Sequence, residues 1–177
     1  MSKRRRWLVA LSILVIMVGA VPVARAAEHA VRGQAPWEGR ARVYVTGPHQ
    51  AFVLGAFTGR LAIDPESSAL HDARLLCPGA FDSDYAAHTI QGQGHCIITT
   101  SSGDRIFARW NCDGQPDKGC SGRFVITGGT GAYEGVTGDG DLALRITFSE
   151  MTRVEQLESD YDVKGLVTWP ALRYRTP

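Results

Sequence analysis

The stretch Ile126-Thr-Gly-Gly-Thr-Gly-Ala-Tyr-Glu-Gly-Val-Thr-Gly-Asp-Gly140 decides how this chain is read. It holds six glycines among fifteen residues and runs directly into the alternating segment Asp141-Leu-Ala-Leu-Arg-Ile-Thr-Phe148. Glycine accepts positive φ and close backbone approach, so this density marks a strand that ends, turns sharply and resumes. A phosphate-cradling loop is the competing interpretation. Counted from Gly129, however, the third glycine of G-x-G-x-x-G falls on Glu134, and Gly135 is one residue late. A carboxylate there would face the pyrophosphate at a helix N-terminus, where negative protein charge is unfavourable. The fingerprint also requires a helix and a βαβ unit, whereas period-two alternation follows. Gly128, Gly129, Gly131, Gly135 and Gly138 are therefore read as a structural turn, with Tyr133 packed over it.

Outward from that turn, short runs of β-branched and aromatic residues recur between glycine- and aspartate-rich breaks. Strands are expected at about Arg40–Thr46, Ala51–Ile63 (bent at Gly55 or Gly59), Ala73–Cys77, Gly94–Thr100, Arg105–Cys112, Ser121–Thr127, Gly138–Phe148 and Tyr161–Trp169. Ser101-Ser-Gly-Asp104 reads as a hairpin turn, Asp64–Ser68 and Asp82–Asp84 as loops, and Glu150–Glu158 as a turn or two of helix. About eight strands at this spacing fit a closed antiparallel barrel or a sandwich, and closure removes exposed edges. Strand phase puts Leu142, Leu144, Ile146 and Phe148 on one face, and Ile106, Ala108, Trp110 and Cys112 on another, in line with Phe124 and Ile126. This apolar set is taken as the interior. Arg109, Arg123, Arg145 and Lys164, with Asp141 and Asp162, are assigned to charge pairs on the outer face.

The N-terminus reads as an export signal. Lys3-Arg-Arg-Arg6 is a basic segment, Trp7–Gly19 an apolar one, and Ala24-Arg25-Ala26 a small-x-small cleavage site after Pro22. Three parts result: a signal peptide over 1–26, an N-terminal extension over 27–39 and one barrel domain over 40–177. The 19 basic residues include Lys3, Arg4, Arg5, Arg6 and Arg25, so the part after residue 26 keeps 14 against 18 acidic ones, a formal charge of −4. That balance argues against a nucleic-acid partner. No membrane partner is expected after cleavage. A secreted or periplasmic location makes disulfides the natural state of Cys77, Cys96, Cys112 and Cys120. Cys112 and Cys120 flank the turn-rich Asp113-Gly-Gln-Pro-Asp-Lys-Gly119 and are paired, which leaves Cys77 with Cys96. Zinc is not expected, because the cysteine spacings hold no C-x-x-C.

The glycine segment resembles the strand–turn–strand of the allene oxide cyclase and dirigent barrel superfamily, whose pattern runs I-T-G-G-T-G-x-aromatic-x-G-x-x-G-x-G. Within it, the chain is most similar to small exported bacterial members. Those combine the turn with C-P-G (Cys77-Pro78-Gly79), G-D-x-x-x-A-x-W-x-C (Gly103 to Cys112), G-C-x-G (Gly119 to Gly122) and W-P-x-L-x-Y (Trp169 to Tyr174). The resemblance implies an all-β fold, a closed antiparallel barrel of about eight strands. It carries no catalytic residue onto this chain, and its functions range from cyclases through radical-coupling guides to members of unassigned activity.

Candidate site residues are few. Trp110 could stack on a ligand, although an aromatic there is more often core. Asp82, Asp84, Tyr85 and His88 form a polar group that would hold an acid or base at the barrel mouth, or else a solvated connection. Asp113, Asp117, Asp139 and Asp141 lack calcium-loop spacing and are read as turn residues. No G-x-S-x-G, H-E-x-x-H or evident catalytic triad is present. Two functions remain: a binding or structural module, or a cofactor-free cyclase or isomerase folding an apolar substrate inside the barrel. In either case the expected partner is a small apolar ligand, no cofactor or metal is needed, and a homo-oligomer is an open option. An enclosed cavity of several hundred Å3 favours the enzyme. An interior filled by Trp110, Phe124, Leu144 and Phe148 removes it.

Overall fold

The computed structural model describes residues 27–66 and 68–177, so the expected signal peptide lies outside the described residues. The strands are β1 (Ala27–Gly47), β2 (Gln50–Arg60), β3 (Ala62–Asp64), β4 (Arg74–Asp84), β5 (Thr89–Thr99), β6 (Arg105–Gln115), β7 (Gly119–Gly129), β8 (Thr137–Val154) and β9 (Glu158–Thr176). A single 3-10 turn, Gly131–Tyr133, stands between β7 and β8. Neighbours pair in the order β2-β4-β5-β6-β7-β8-β9-β1, and β1 pairs again with β2, so eight antiparallel strands close on themselves. The ninth, β3, adds to the early part of β1 through Arg32, Gly33 and Gln34.

Residues directly opposite one another trace the closure. From Ala41 the row passes through Gly55, Gly79, Gly94, Trp110, Phe124, Gly140 and Leu172, and returns to β1 at Val31. A stagger of ten residues over eight strands requires a strand tilt of roughly 40°. A barrel of this size is just wide enough for side chains to fill it. Its residues alternate accordingly: β6 buries Ile106, Ala108, Trp110 and Cys112 and exposes Arg105, Arg109 and Asn111.

One end, which we call the glycine-turn end, carries the connections 61–73, 100–104 and 130–136. Leu61, Leu70, Tyr133 and Val136 are buried there and close it. The opposite end carries the connections 48–49, 85–88, 116–118 and 155–157. Both disulfides bridge neighbouring strands: Cys77–Cys96 joins β4 to β5 with Cα atoms 4.1 Å apart, and Cys112–Cys120 joins β6 to β7 at 5.4 Å. The pairing is the one expected from the sequence.

Several expectations change. Residues 27–39, expected ahead of the barrel, are the first part of β1 and pair with β9 over most of that length. The run Ala51–Ile63 keeps its pairing unbroken through Gly55 and Gly59. It breaks at Leu61, whose N–H bonds to the Ala73 carbonyl at 2.9 Å, and the chain then crosses to the other stretch of β1. Asp82 and Asp84 belong to β4 and not to a loop. Glu150–Glu158 is not helical; β8 continues to Val154 and β9 starts at Glu158. Ile146 and Phe148 are half exposed and not interior. The cause of the last two is shared: β7 begins at Gly119 and its pairing with β8 ends at Cys120 opposite Leu144, so the following residues of β8 run past the barrel wall.

Candidate functional site

The barrel interior is packed. Gly55, Gly79 and Gly94 lie in register on three successive strands, and the Trp110 indole lies over the backbone of Gly79 and Gly94. Aromatic rings continue from there, with Trp37–Phe57 centroids 4.6 Å apart, Phe81–Trp110 5.4 Å and Phe124–Trp169 5.4 Å. The void left between Trp37, Trp110, Phe124 and Trp169 is about 20 Å3 and wholly apolar, on the scale of one water molecule. The indole N–H groups of Trp37, Trp110 and Trp169 are buried without a hydrogen-bond partner among the described residues. The filling set expected from the sequence is thus met by Trp110, Phe124 and Leu144 but not by Phe148, whose place Trp37 and Trp169 take. A cyclase that folds its substrate inside the barrel has no room for one here.

The polar group at the second end is a solvated connection. Asp82 and Tyr85 are exposed. Asp84 accepts a hydrogen bond from the Ala87 N–H at 2.8 Å; that bond, then the Gln50 side chain, holds its carboxyl below the ordinary aspartate value. His88, with φ of 57°, sets its Nε2 2.9 Å from Asp117 on the neighbouring connection. Asp84 caps its own turn and His88 ties two neighbouring connections together.

On the glycine-turn end, Tyr133 packs against Gly129 as expected, and the ring of Tyr174 stacks on His29 with centroids 4.7 Å apart. Burial raises the phenol pKa of both tyrosines. They remain neutral donors lining a cleft of about 650 Å3 with Ser68 and the chain terminus.

A broad concavity lies on the outer wall. Because Gly55, Gly79 and Gly94 point inward, two outward rows flank their bare backbone. One runs Leu54, Ala80, Gln93, Asn111, and the other joins His95 to Arg109 and Val125. Together they frame an open trough of about 850 Å3. Leu54, Pro78, Ala80 and Val125 supply its apolar surface, and Gln93, His95, Arg109 and Asn111 its hydrogen-bonding groups. Arg109, assigned to a charge pair from the sequence, forms no ion pair among the described residues, whereas Arg123 takes Asp139 and Asp141. The trough therefore offers an uncompensated guanidinium beside an imidazole. Sequence reasoning missed it, since the alignment of three glycines across strands follows from register alone. Within the described residues no cluster of His, Cys, Asp and Glu could hold a metal ion.

No family model matches the chain. No curated protein matches it either. Among solved structures it is similar to that of the pterocarpan synthase dirigent protein GePTS1, with 12% identity, 85% of this chain and 95% of that one covered, and a TM-score of 0.33.

Proposed function

We propose that this chain is an exported small-molecule-binding module that takes its ligand on the outer wall of the barrel and not inside it. The observation that carries the reading is the contrast between the packed interior, with about 20 Å3 free, and the outer trough of about 850 Å3. Ligand sites are typically concave, largely apolar and provided with a few convergent polar groups, which describes the trough. Its chemistry suits an amphipathic anion, with the apolar body on Leu54, Pro78 and Val125 and the acidic group at His95 and Arg109. Export as a secreted or periplasmic protein of the small bacterial type rests on the signal-like residues 1–26. Both cysteine pairs being closed fits an oxidising compartment.

The test is titration of the mature protein with a medium-chain carboxylate, followed by amide and indole NMR shifts. Shifts at Gln93, His95, Arg109 and Asn111, lost on Arg109→Glu, are expected. Shifts confined to the indoles of Trp37, Trp110 and Trp169 would return the ligand to the interior and overturn the reading, as would no binding at all. Native mass spectrometry of protein taken from its own cell envelope would identify the natural ligand.

A further inference from the structure

Among the described residues, only one long stretch of strand lacks a neighbour on one side. Beyond Leu144, the last residue of β8 paired with β7, residues 145–154 pair with β9 alone. Every residue in that stretch is exposed, and four are large and apolar: Ile146 (50% accessible), Phe148 (45%), Met151 (48%) and Val154 (67%). An unpaired strand edge bearing apolar side chains is a template for pairing with another chain. We infer that this edge is a dimer interface, on which β8 of a second copy pairs antiparallel across a two-fold axis.

The charges select the register. Glu150 stands opposite Asp162 of its own chain, a like-charge neighbour, and forms no ion pair among the described residues; nor does Arg145. Like charges directly opposite one another on a sheet are destabilising. Despite the bulge between Ile146 and Phe148, Arg145 faces Leu166 and Glu150 faces Asp162, two positions of the same parity on β9, so both side chains leave the same face. An antiparallel two-fold pairing that puts Arg145 of one copy against Glu150 of the other satisfies both charges twice. The same register sets Ile146 against Ser149, both on the inward face, and brings the two Phe148 side chains beside the axis. A self-complementary patch of this kind is what an isologous dimer requires. The proposal is independent of the trough, which lies across β2, β4, β5, β6 and β7.

The experiment is sedimentation equilibrium of the mature full chain at micromolar concentration, with circular dichroism and a free-thiol count as folding controls. Wild type is expected to sediment as a dimer. Glu150→Arg sets four arginines around the axis and is expected to raise the dissociation constant by about tenfold or more. Arg145→Glu does the same with four carboxylates. The double swap Arg145→Glu/Glu150→Arg restores the complementary pairs and the dimer, which a general surface effect would not. Phe148→Lys, exposed and safe for folding, also yields monomer. A wild-type monomer, an oligomer indifferent to these changes, a double swap that stays dissociated, or a stable complex only with a different protein would each overturn the proposal.

Discussion

The indole of Trp110, on β6, occupies the space that a side chain of Gly79, two strands away on β4, would need. The barrel is filled by lending one strand's volume to another: glycines remove side chains on β4 and β5, and a large ring from β6 lies across the gap. A β-carbon at position 79 would also come within 2.9 Å of the Gln93 carbonyl. Gly79→Ala is therefore expected to cost about 1–3 kcal/mol through overpacking. Trp110→Leu costs about 2–4 kcal/mol, within the range for shrinking a large core side chain. The double variant is expected to be more stable than the sum of the two losses by about 0.5 kcal/mol or more, because the methyl enters the space the ring vacates. Urea unfolding of the four proteins measures this, and strict additivity would show that the two sites do not share volume.

Both disulfides cross between hydrogen-bonded neighbours, so the native strands are already held where the bonds put them. Their effect should fall mainly on the unfolded chain. Replacing Cys77 and Cys96 together by alanine should lower unfolding free energy by roughly 2–4 kcal/mol, and replacing Cys112 and Cys120 by somewhat less, since that loop is shorter (separations of 19 and 8 residues). Guanidinium unfolding of each double variant, with the barrel's far-ultraviolet spectrum unchanged, is the check. The reverse order would show that native packing at the second end, not loop length, governs the loss.

How much of this could be read from residues alone depends on whether the cause was local. The strand phases on β6, β7 and the first part of β8 were legible, because Ile106, Trp110, Phe124 and Leu144 alternate with Arg105, Arg109, Arg123 and Arg145, and each of the four lies where its strand is paired on both sides. The disulfide pairing was legible from a turn-rich loop. Ile146 and Phe148 were misplaced because their burial depends on where β7 begins, a fact about another strand. Residues 27–39 carry Gly33 and Pro36 and little β-branched character, so their pairing with β9 reflects tertiary context and not propensity. Of the site candidates, Trp110 is buried in the core and also lines the trough. The trough was invisible, since Gly55, Gly79 and Gly94 are 24 and 15 residues apart in sequence and meet only through register.

The glycine turn that first indicated the fold makes its own quantitative demand. Gly131 and Gly135 hold φ of 58° and 76°, in the left-handed region. At Gly135 an added β-carbon would meet only the Pro177 ring at 3.3 Å, so the cost of Gly135→Ala is nearly pure backbone strain, about 1–2 kcal/mol. At Gly131 the β-carbon would collide with the Asp104 carboxylate as well, and Gly131→Ala should cost more. Thermal unfolding of the two variants tests the ranking. Equal losses would mean that Asp104 moves aside freely.

Asp160 on β9 ties three strands of the overhanging ribbon together. It accepts from the Arg42 Nε of β1 at 2.7 Å and from the Arg153 Nε of β8 at 2.9 Å. The Arg42 hydrogen bond first, and then the charge of Arg153, hold its carboxyl below the ordinary value of 3.8. A carboxyl whose pKa is lower in the folded than in the unfolded chain binds fewer protons when folded, so its stabilisation is present above the unfolded value and disappears as pH falls through the folded one. The group is still partly open to solvent, so the effect should be modest and should shrink further in high salt. The melting temperature of wild type minus that of Asp160→Asn is therefore expected to be positive and flat from neutral pH down to about pH 5. Below the ordinary aspartate range it should fall toward zero. A difference that persists unchanged in acid would show that Asp160 acts through neutral hydrogen bonds and not through its charge.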